Sequence, residues 1–442
     1  MQLTLRKILF AGFAIYSVIT CYTTYVLFTR IYEPSSDDQK PKPPSEKKIH
    51  SRHEEWNPWG EDLYMRDKRQ QDTGKSKLKW SSNKELDFGK RYHGNDSDGF
   101  HHVEVWGKAA IALYFWQHVF DGTLESKMDG IWHYGFKKER NIKFKFRTGP
   151  GVIPSKAPSD TQFLVLILNG RVQEKIDFAL LWLERLAELP YLQKVAVIML
   201  GNEQCDNDWF IPYMRKEGGV VDHLFIVYDS PLTNNVNFHQ WPLGVAAYRG
   251  FNKVAMPSKQ LYQRRHYMCN FLGTVYANSS RETLVSVIEK YELQDRCFVK
   301  ARAEWEPNES DQTRVQYELA LSESDLTLCP VGINTECYRI YEACVYGSVP
   351  VIEDVMTPGR CGNSSSCHNS PLCLLKSKGA PFIFIKNWNE LTEILKREAQ
   401  LTQREKIDRR IALVEWYKNF RNTMKNDFLD TLQKSFFSED VT

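Results

Sequence analysis

The chain has 442 residues, 42% of them hydrophobic, and a formal net charge of only +3. That length suits two domains better than one core. The near balance of charge leaves no electrostatic footprint for nucleic acid and excludes it as the expected partner.

The first element is apolar. Residues 8–28 contain no charged side chain, and twenty-one helical residues span about 30 Å, the thickness of a bilayer's hydrocarbon core. Arg6 and Lys7 precede the stretch, so the positive-inside rule leaves residues 1–7 cytosolic and places the rest of the chain in a lumen. The expectation is a transmembrane signal anchor over 8–28 in a single-pass type II protein. A cleaved signal peptide is the competing reading, but no clear small-x-small site ends the stretch. A luminal chain makes four sequons meaningful, at Asn95, Asn278, Asn308 and Asn363. It also permits disulfides among the nine cysteines outside the anchor, an odd number. Cys361, Cys367 and Cys373 crowd one loop and suggest a pair there. A zinc cluster is the other reading, which no Cys-x-x-Cys or neighbouring His pair supports.

Residues 29–100 read as a luminal stem. Around Pro41-Lys42-Pro43-Pro44 the chain is charged and lacks apolar periodicity, so it buries too little to offset its ordering entropy. Order is expected from about His102, with 106–120 as a buried helix. Apolar strands are expected at 163–168, 195–200 and 224–228, with a helical pattern at 176–189 between the first two. A second series begins after 262, with strands at 268–272, 297–300, 325–329, 349–352 and 381–385 and helices at 281–293 and 336–346. Charged helices close the chain from about 387. Strands apolar on both faces and alternating with helices imply parallel sheets covered on both sides. The predicted fold is α/β, with two facing Rossmann-like domains, an acceptor domain over 101–262 and a donor domain over 263–400, then C-terminal helices over 401–442. Ligands in such sheets sit beyond the carboxyl ends of the strands.

The most informative segment runs from Cys329 to Asp354. A buried strand ends at Cys329-Pro330, a turn carries Gly332, Asn334 and Thr335, and a helix starts near Glu336. Free N–H groups in its first turn suit a diphosphate. Arg339 lies one turn in, where its planar fork can bridge phosphate oxygens. Glu342 shares that helical face and suits a ribose diol. Gly347 is expected to end the helix.

Pro330, Gly332, Arg339, Glu342-Ala343 and Gly347-Ser348-Val349-Pro350-Val351-Ile352 together resemble the donor-site signature of GT-B glycosyltransferases, especially the exostosin-like group. The resemblance implies that Glu342 grips the nucleotide ribose. It also implies a partner loop at Gly273-Thr274 and Arg281. Where many such enzymes carry a second Glu, this chain has Asn334. Longer stretches, among them Val105-Trp106-Gly107-Lys108-Ala109, Gln240-Trp241-Pro242-Leu243-Gly244 and Cys269-Asn270-Phe271-Leu272-Gly273-Thr274, are similar to vertebrate Golgi xylosyltransferases. That likeness implies transfer of xylose from UDP-xylose to ribitol 5-phosphate on the O-mannosyl glycan of α-dystroglycan, at the Golgi membrane and among partner transferases.

An α-linked donor and a β-linked product imply inversion, which needs a base and help for the leaving group. Leaving-group help is expected from Arg281, Arg339 and the amides of Asn334, Thr335 and Glu336. Asp229 and Glu203, at strand ends, are the base candidates, with His239 a third. Asn169, Arg171 and His239 are the expected acceptor contacts. Asp206-Asn207-Asp208 is the rival signal, since Asp-x-Asp binds manganese in GT-A enzymes. It lies away from the donor signature and reads as a surface loop, so no metal site and no manganese or magnesium requirement is expected. Another UDP-sugar or acceptor, or a non-catalytic carbohydrate-binding scaffold, stays open. A sulfotransferase does not fit, for no Gly-x-x-x-x-Gly-Lys loop occurs.

Overall fold

The computed structural model describes residues 99–437 apart from 128–129, 252–257, 305–309 and 363–369. The expected anchor, almost all of the stem and the sequons at Asn95, Asn308 and Asn363 lie outside the described residues. Among the described residues no helix is long and apolar enough to cross a membrane.

The fold is α/β, with two sheets. The first is built from β1 (His101–Gly107), β2 (Glu125–Lys127), β3 (Trp132–Glu139), β4 (Ile142–Thr148), β5 (Phe163–Asn169), β6 (Lys194–Leu200), β7 (His223–Val227) and β8 (Phe238–Trp241). Their order is β2-β3-β4-β1-β5-β6-β7-β8. The pairs β2–β3 and β3–β4 are antiparallel, and the remaining pairs are parallel.

Strand alternation divides the apolar runs between two cores. Val165 and Ile167 of β5, with Ala196 and Ile198 of β6, face one cluster. Leu164, Leu166 and Leu168, with Val195 and Val197, face the other, where Trp182 and Phe178 of α2 (Gln173–Leu186) cover them.

Two parts of the first sheet depart from the expected pattern. The expected helix over 106–120 starts later, as Ile111–Leu113 (α1) continued by a π-wound turn over Tyr114–Val119. Trp106 belongs to β1 instead, because that segment fills the place between β4 and β5. A Cβ at Gly107 would lie 2.6 Å from the Cβ of Ala112, so the turn out of β1 is open only to glycine. The antiparallel strands β2 to β4 were not anticipated.

The second sheet is all parallel, in the order β10-β9-β11-β12-β13. Its strands are β9 (Tyr267–Thr274), β10 (Cys297–Arg302), β11 (Ser324–Cys329), β12 (Val349–Glu353) and β13 (Ile383–Ile385). Between them run α3 (Ser280–Lys290), α4 (Asp311–Ser322), α5 (Tyr338–Val345) and α6 (Cys373–Ser377). Gly347, at φ +66°, ends α5 in the left-handed conformation as expected. A disulfide joins Cys269 of β9 to Cys297 of β10, which face each other in register.

After α7 (Leu391–Gln400) comes α8 (Gln403–Phe436), whose first turn is closed by a Thr402–Glu405 capping box. This 34-residue helix joins the sheets. Phe428 packs against Phe115, Phe225 and Trp241 of the first part. Phe420 packs beside Tyr341 of the second. Buried Arg410 pairs with Asp325 at 2.5 Å, and Arg421 donates to the His118 carbonyl at 2.8 Å. Truncating an aromatic so placed, such as Phe428→Ala, costs about 3–5 kcal/mol.

Candidate active site

The carboxyl ends of the two sheets meet. Asn334, beyond β11, donates from Nδ2 to the carbonyl of Glu203, beyond β6, at 2.6 Å. Arg360, beyond β12, donates its backbone N–H to the Gln204 carbonyl at 2.8 Å. The Cys205–Cys361 disulfide spans the same seam. A pair within the loop around Cys361 is therefore not what Cys361 makes, because it is committed to Cys205. Cys373 is disulfide-bonded as well.

On the second sheet's side, two guanidiniums converge. Ser279 caps α3 by accepting from the Glu282 amide, which sets Arg281 in the first turn, where its Nη1 donates to the Thr274 carbonyl at 2.8 Å. Arg339, second in α5, donates from Nη2 to the Leu272 carbonyl at 2.7 Å and lies 5.0 Å above the Phe271 ring. Both pack on bare backbone. A Cβ on Gly273 would come within 2.8 Å of Arg339 Nη2, and one on Gly332 within 2.8 Å of Arg281 Nη2.

Burial and Arg339 together push the Arg281 guanidinium below its ordinary value. Among the described residues neither arginine forms an ion pair with a carboxylate. The positive field also registers on Cys337. A hydrogen bond with Cys329, and then Arg339 and Arg281, bring its thiol down to about 6. Two fixed cations without a carboxylate are repulsive until an anion bridges them, and the planar fork suits phosphate oxygens. Thr274 itself is buried. Its hydroxyl donates to the Glu304 carbonyl at 3.3 Å and accepts from Arg302 Nε at 3.2 Å, ordering the loop.

The other expected donor contacts are engaged elsewhere. Glu342 is buried. Its Oε1 accepts from the Ala246 amide at 3.0 Å and its Oε2 from the Tyr317 hydroxyl at 2.6 Å. Each oxygen of that carboxylate thus already has a partner within the fold. Glu336 is buried too, accepting from the Leu243 amide at 2.9 Å and from the Tyr341 hydroxyl. Burial pushes its carboxyl up to about 8, and burial also raises Glu342. These two carboxylates dock α5 on the segment linking the sheets. The Thr335 amide donates to the Thr357 hydroxyl and the Glu336 amide to Asn334 Oδ1, so neither is directed at a leaving group.

On the first sheet's side, Glu203 and Arg171 form a half-buried ion pair at 2.8 Å. The Glu203 turn is tightly held. Asn202 accepts from the Gln204 amide and donates to the Arg171 carbonyl, while Cys205 sits at φ +63°. Asn169 ends β5, and its Oδ1 accepts from the Arg171 amide at 3.0 Å, a turn role that positions Arg171. Tyr228, absent from the expected site residues, comes directly after β7 at φ +75°. Burial first and the Glu203 carboxylate second push its phenol well above the usual range. Its only sequence signal is its place immediately after a buried strand.

Asp229 differs from Glu203 in what occupies its oxygens. It accepts from Gln240 Nε2 at 2.8 Å, the Cys373 amide at 3.0 Å and the Leu372 amide at 2.6 Å. Those donors tie the two sheets together and leave little capacity to take a proton from an acceptor. His239 is a correction. It is the second residue of β8, in register with Phe225 in mid-strand. Its Nε2 lies 3.1 Å from Nδ1 of His223, and burial and His223 hold it down at about 4. It is therefore paired within the sheet rather than presented at a strand end.

Asp206 is exposed and Asp208 half-buried, and both pair with Arg360. Among the described residues no group of three or more His, Cys, Asp or Glu forms a metal-binding cluster. Asn278 is exposed at φ +57° in the turn before α3.

Comparison with known proteins divides the chain in the same way. The family model described as RXYLT1 N-terminal domain matches residues 103–242, and the one described as RXYLT1 C-terminal domain matches 248–437. A protein of Danio rerio named ribitol-5-phosphate xylosyltransferase 1 is 50% identical over 339 residues, covering 76% of this chain and 77% of its own. The Homo sapiens protein of that name is 47% identical over 387 residues, covering 87% and 84%. That of Mus musculus is 42% identical over 452 residues, covering 99% of each. Among solved structures, an α1,3-fucosyltransferase is 10% identical with a TM-score of 0.32, covering 78% of this chain and 85% of its own. The catalytic domain of starch synthase IV from Arabidopsis thaliana, bound to ADP and acarbose, is 8% identical with a TM-score of 0.38, covering 76% and 100%. Likenesses as distant as those two carry no argument. The sequence relatives do, and the chain belongs to the ribitol-5-phosphate xylosyltransferase 1 family.

Proposed function

We propose that this chain is an inverting GT-B glycosyltransferase that moves xylose from UDP-xylose to ribitol 5-phosphate. The observation that carries the donor half is the Arg281–Arg339 pair, held over Gly332 and Gly273 without a carboxylate partner among the described residues. A diphosphate between them relieves their repulsion, and the charge that develops on departing UDP strengthens the contact in the transition state. The acceptor half is supported by the names of the relatives and by Arg171, a cation beside Glu203 that suits a phosphate.

Glu203 is the base in this reading. Its carboxylate is half-buried and ion-paired, yet it carries none of the three N–H contacts that occupy Asp229. It takes the proton of the attacking ribitol hydroxyl as the bond from xylose C1 to the UDP oxygen breaks on the opposite face. One displacement converts an α-linked donor to a β-linked product. Turnover proceeds without manganese or magnesium, a reading supported by the engagement of Asp206 and Asp208 with Arg360. Type II anchoring in the Golgi membrane, with the phosphoribitol-bearing O-mannosyl glycan of α-dystroglycan as acceptor, completes the proposal. The disulfides fit an oxidising lumen.

Incubation with UDP-xylose and a phosphoribitol acceptor tests it. Glu203→Gln is expected to lower kcat by about 10²–10⁴. Full activity of Glu203→Gln overturns the assignment of the base, and failure to transfer xylose from UDP-xylose overturns the donor.

A further inference from the structure

The seam between the two sheets is closed by a covalent bond at the point where the reacting groups meet. Cys205 lies two residues beyond Glu203. Cys361 belongs to the loop that leaves β12, and the bridge links positions 156 residues apart. Both cysteines are buried. Asn334, in the turn before α5, sits beside this bridge: its Nδ2 donates to the Glu203 carbonyl at 2.6 Å and lies 3.8 Å from Cys361 Sγ. Cys361 Sγ is itself 3.7 Å from that carbonyl. The Glu203 peptide is therefore gripped by the turn beyond β11 and by the disulfide at once. Cys205 is held in the left-handed region, a conformation that persists only where the surroundings enforce it.

The arginines that face the donor are fixed independently of this grip. Arg281 and Arg339 are anchored on carbonyls of β9, within the second sheet alone. Glu203 stands on the first sheet. Its distance from a donor held by Arg281 and Arg339 is thus set across the seam, where Asn334 and the bridge meet the Glu203 carbonyl and the Arg360 amide meets the Gln204 carbonyl.

We propose that Cys205, Cys361 and Asn334 are positioning residues that set the reach of the Glu203 carboxylate to the acceptor hydroxyl. This rests on the reading of Glu203 as the base. The role predicts a particular kinetic signature. Opening the bridge misplaces the base without touching the bonds that hold Arg281 and Arg339 on β9, so that loss falls on kcat and spares donor affinity. A purely structural staple would lower the unfolding temperature and leave turnover of the folded fraction as it was.

The test compares the wild-type full-length chain with Cys205→Ala/Cys361→Ala, a double variant that leaves no orphan thiol, and with Asn334→Ala, which keeps the bridge. Each is measured for kcat, for KM of UDP-xylose and for UDP affinity by calorimetry, with Glu203→Gln alongside. A misplacement of the order of an ångström costs up to about 10²-fold, so kcat is expected to fall at least about tenfold in both variants, with donor KM and UDP affinity within about threefold in the double variant. A folded double variant with kcat within about twofold of wild type overturns the proposal, as does a loss carried wholly by donor KM. If the bridge-less protein does not fold, Asn334→Ala decides: an unchanged kcat overturns the proposal and a fall in kcat at unchanged KM supports it. Undiminished kcat in Glu203→Gln refutes the base reading itself. A silent bridge with an inactive Glu203→Gln refutes only the positioning role.

Discussion

Two sets of charged residues in the second sheet were expected to do the same work, and the structure separates them. Arg281 and Arg339 hold their cations together without a carboxylate partner among the described residues. Glu336 and Glu342, on either side of Arg339 in the chain, are buried carboxylates whose oxygens accept from Leu243, Tyr341, Ala246 and Tyr317. The first set has unspent interaction capacity and serves a ligand. The second is hydrogen-bonded within the fold and fastens α5 to the chain between the sheets. Motif position alone does not distinguish them; the state of their hydrogen bonds does.

The largest expected effect that sharpens this contrast is on transfer. Arg281→Ala/Arg339→Ala is expected to lower kcat/KM by about 10³, roughly 4 kcal/mol, as loss of charge stabilisation at a leaving group does. Denaturant midpoints of the same protein should fall only modestly, since the hydrogen bonds lost to the Thr274 and Leu272 carbonyls are worth about 1–3 kcal/mol each. The reverse holds for Glu342→Ala. It leaves the Ala246 amide and the Tyr317 hydroxyl unpaired and is expected to cost about 2–4 kcal/mol of stability in a urea titration. A Glu342→Ala protein of native stability that binds no UDP would break the comparison.

A smaller effect concerns pH. The Glu336 carboxyl is raised in the fold from 4.5 to about 8, so the folded state binds the proton more tightly than the unfolded chain. That contribution to stability is complete below about pH 4.5 and is lost as pH rises toward 8, with a slope of at most about 1.4 kcal/mol per pH unit. Unfolding curves of Glu336→Gln across that window should lack the slope. The smallest effect is expected at Asp206 and Asp208, which are paired with Arg360. Their replacement by alanine, or addition of EDTA to the wild type, should leave turnover unchanged. Loss of turnover with EDTA, restored by manganese, would return the Asp-x-Asp segment to the site.

Much of the scaffold was legible because period and composition agree. The strands β5, β6, β7 and β12 are largely apolar on both faces, β11 is buried throughout, and Gly347 marks the end of α5 by its need for a positive φ. The features that stayed hidden depend on long-range pairing. β1 carries Trp106 and Gly107 in a run that also looks helical, and only its place between β4 and β5 decides the matter. His239 looked catalytic as a histidine near a cleft domain. A partner 16 residues away, His223, makes it half of a half-buried, neutral pair instead. Asp229 and Glu203 are indistinguishable as strand-end acids, and what separates them is a backbone segment more than 140 residues later in the chain. The same is true of Cys361, whose partner lies 156 residues back rather than in its own loop.

The central claim is that the two arginines, and not the buried glutamates, hold the donor's diphosphate. Calorimetric titration of UDP into the wild type, Arg339→Ala and Glu342→Gln tests it most directly. The expected result is affinity reduced at least about tenfold, some 1.4 kcal/mol, in Arg339→Ala and essentially native affinity in folded Glu342→Gln. Native UDP affinity in Arg339→Ala, with binding lost in Glu342→Gln, would contradict it.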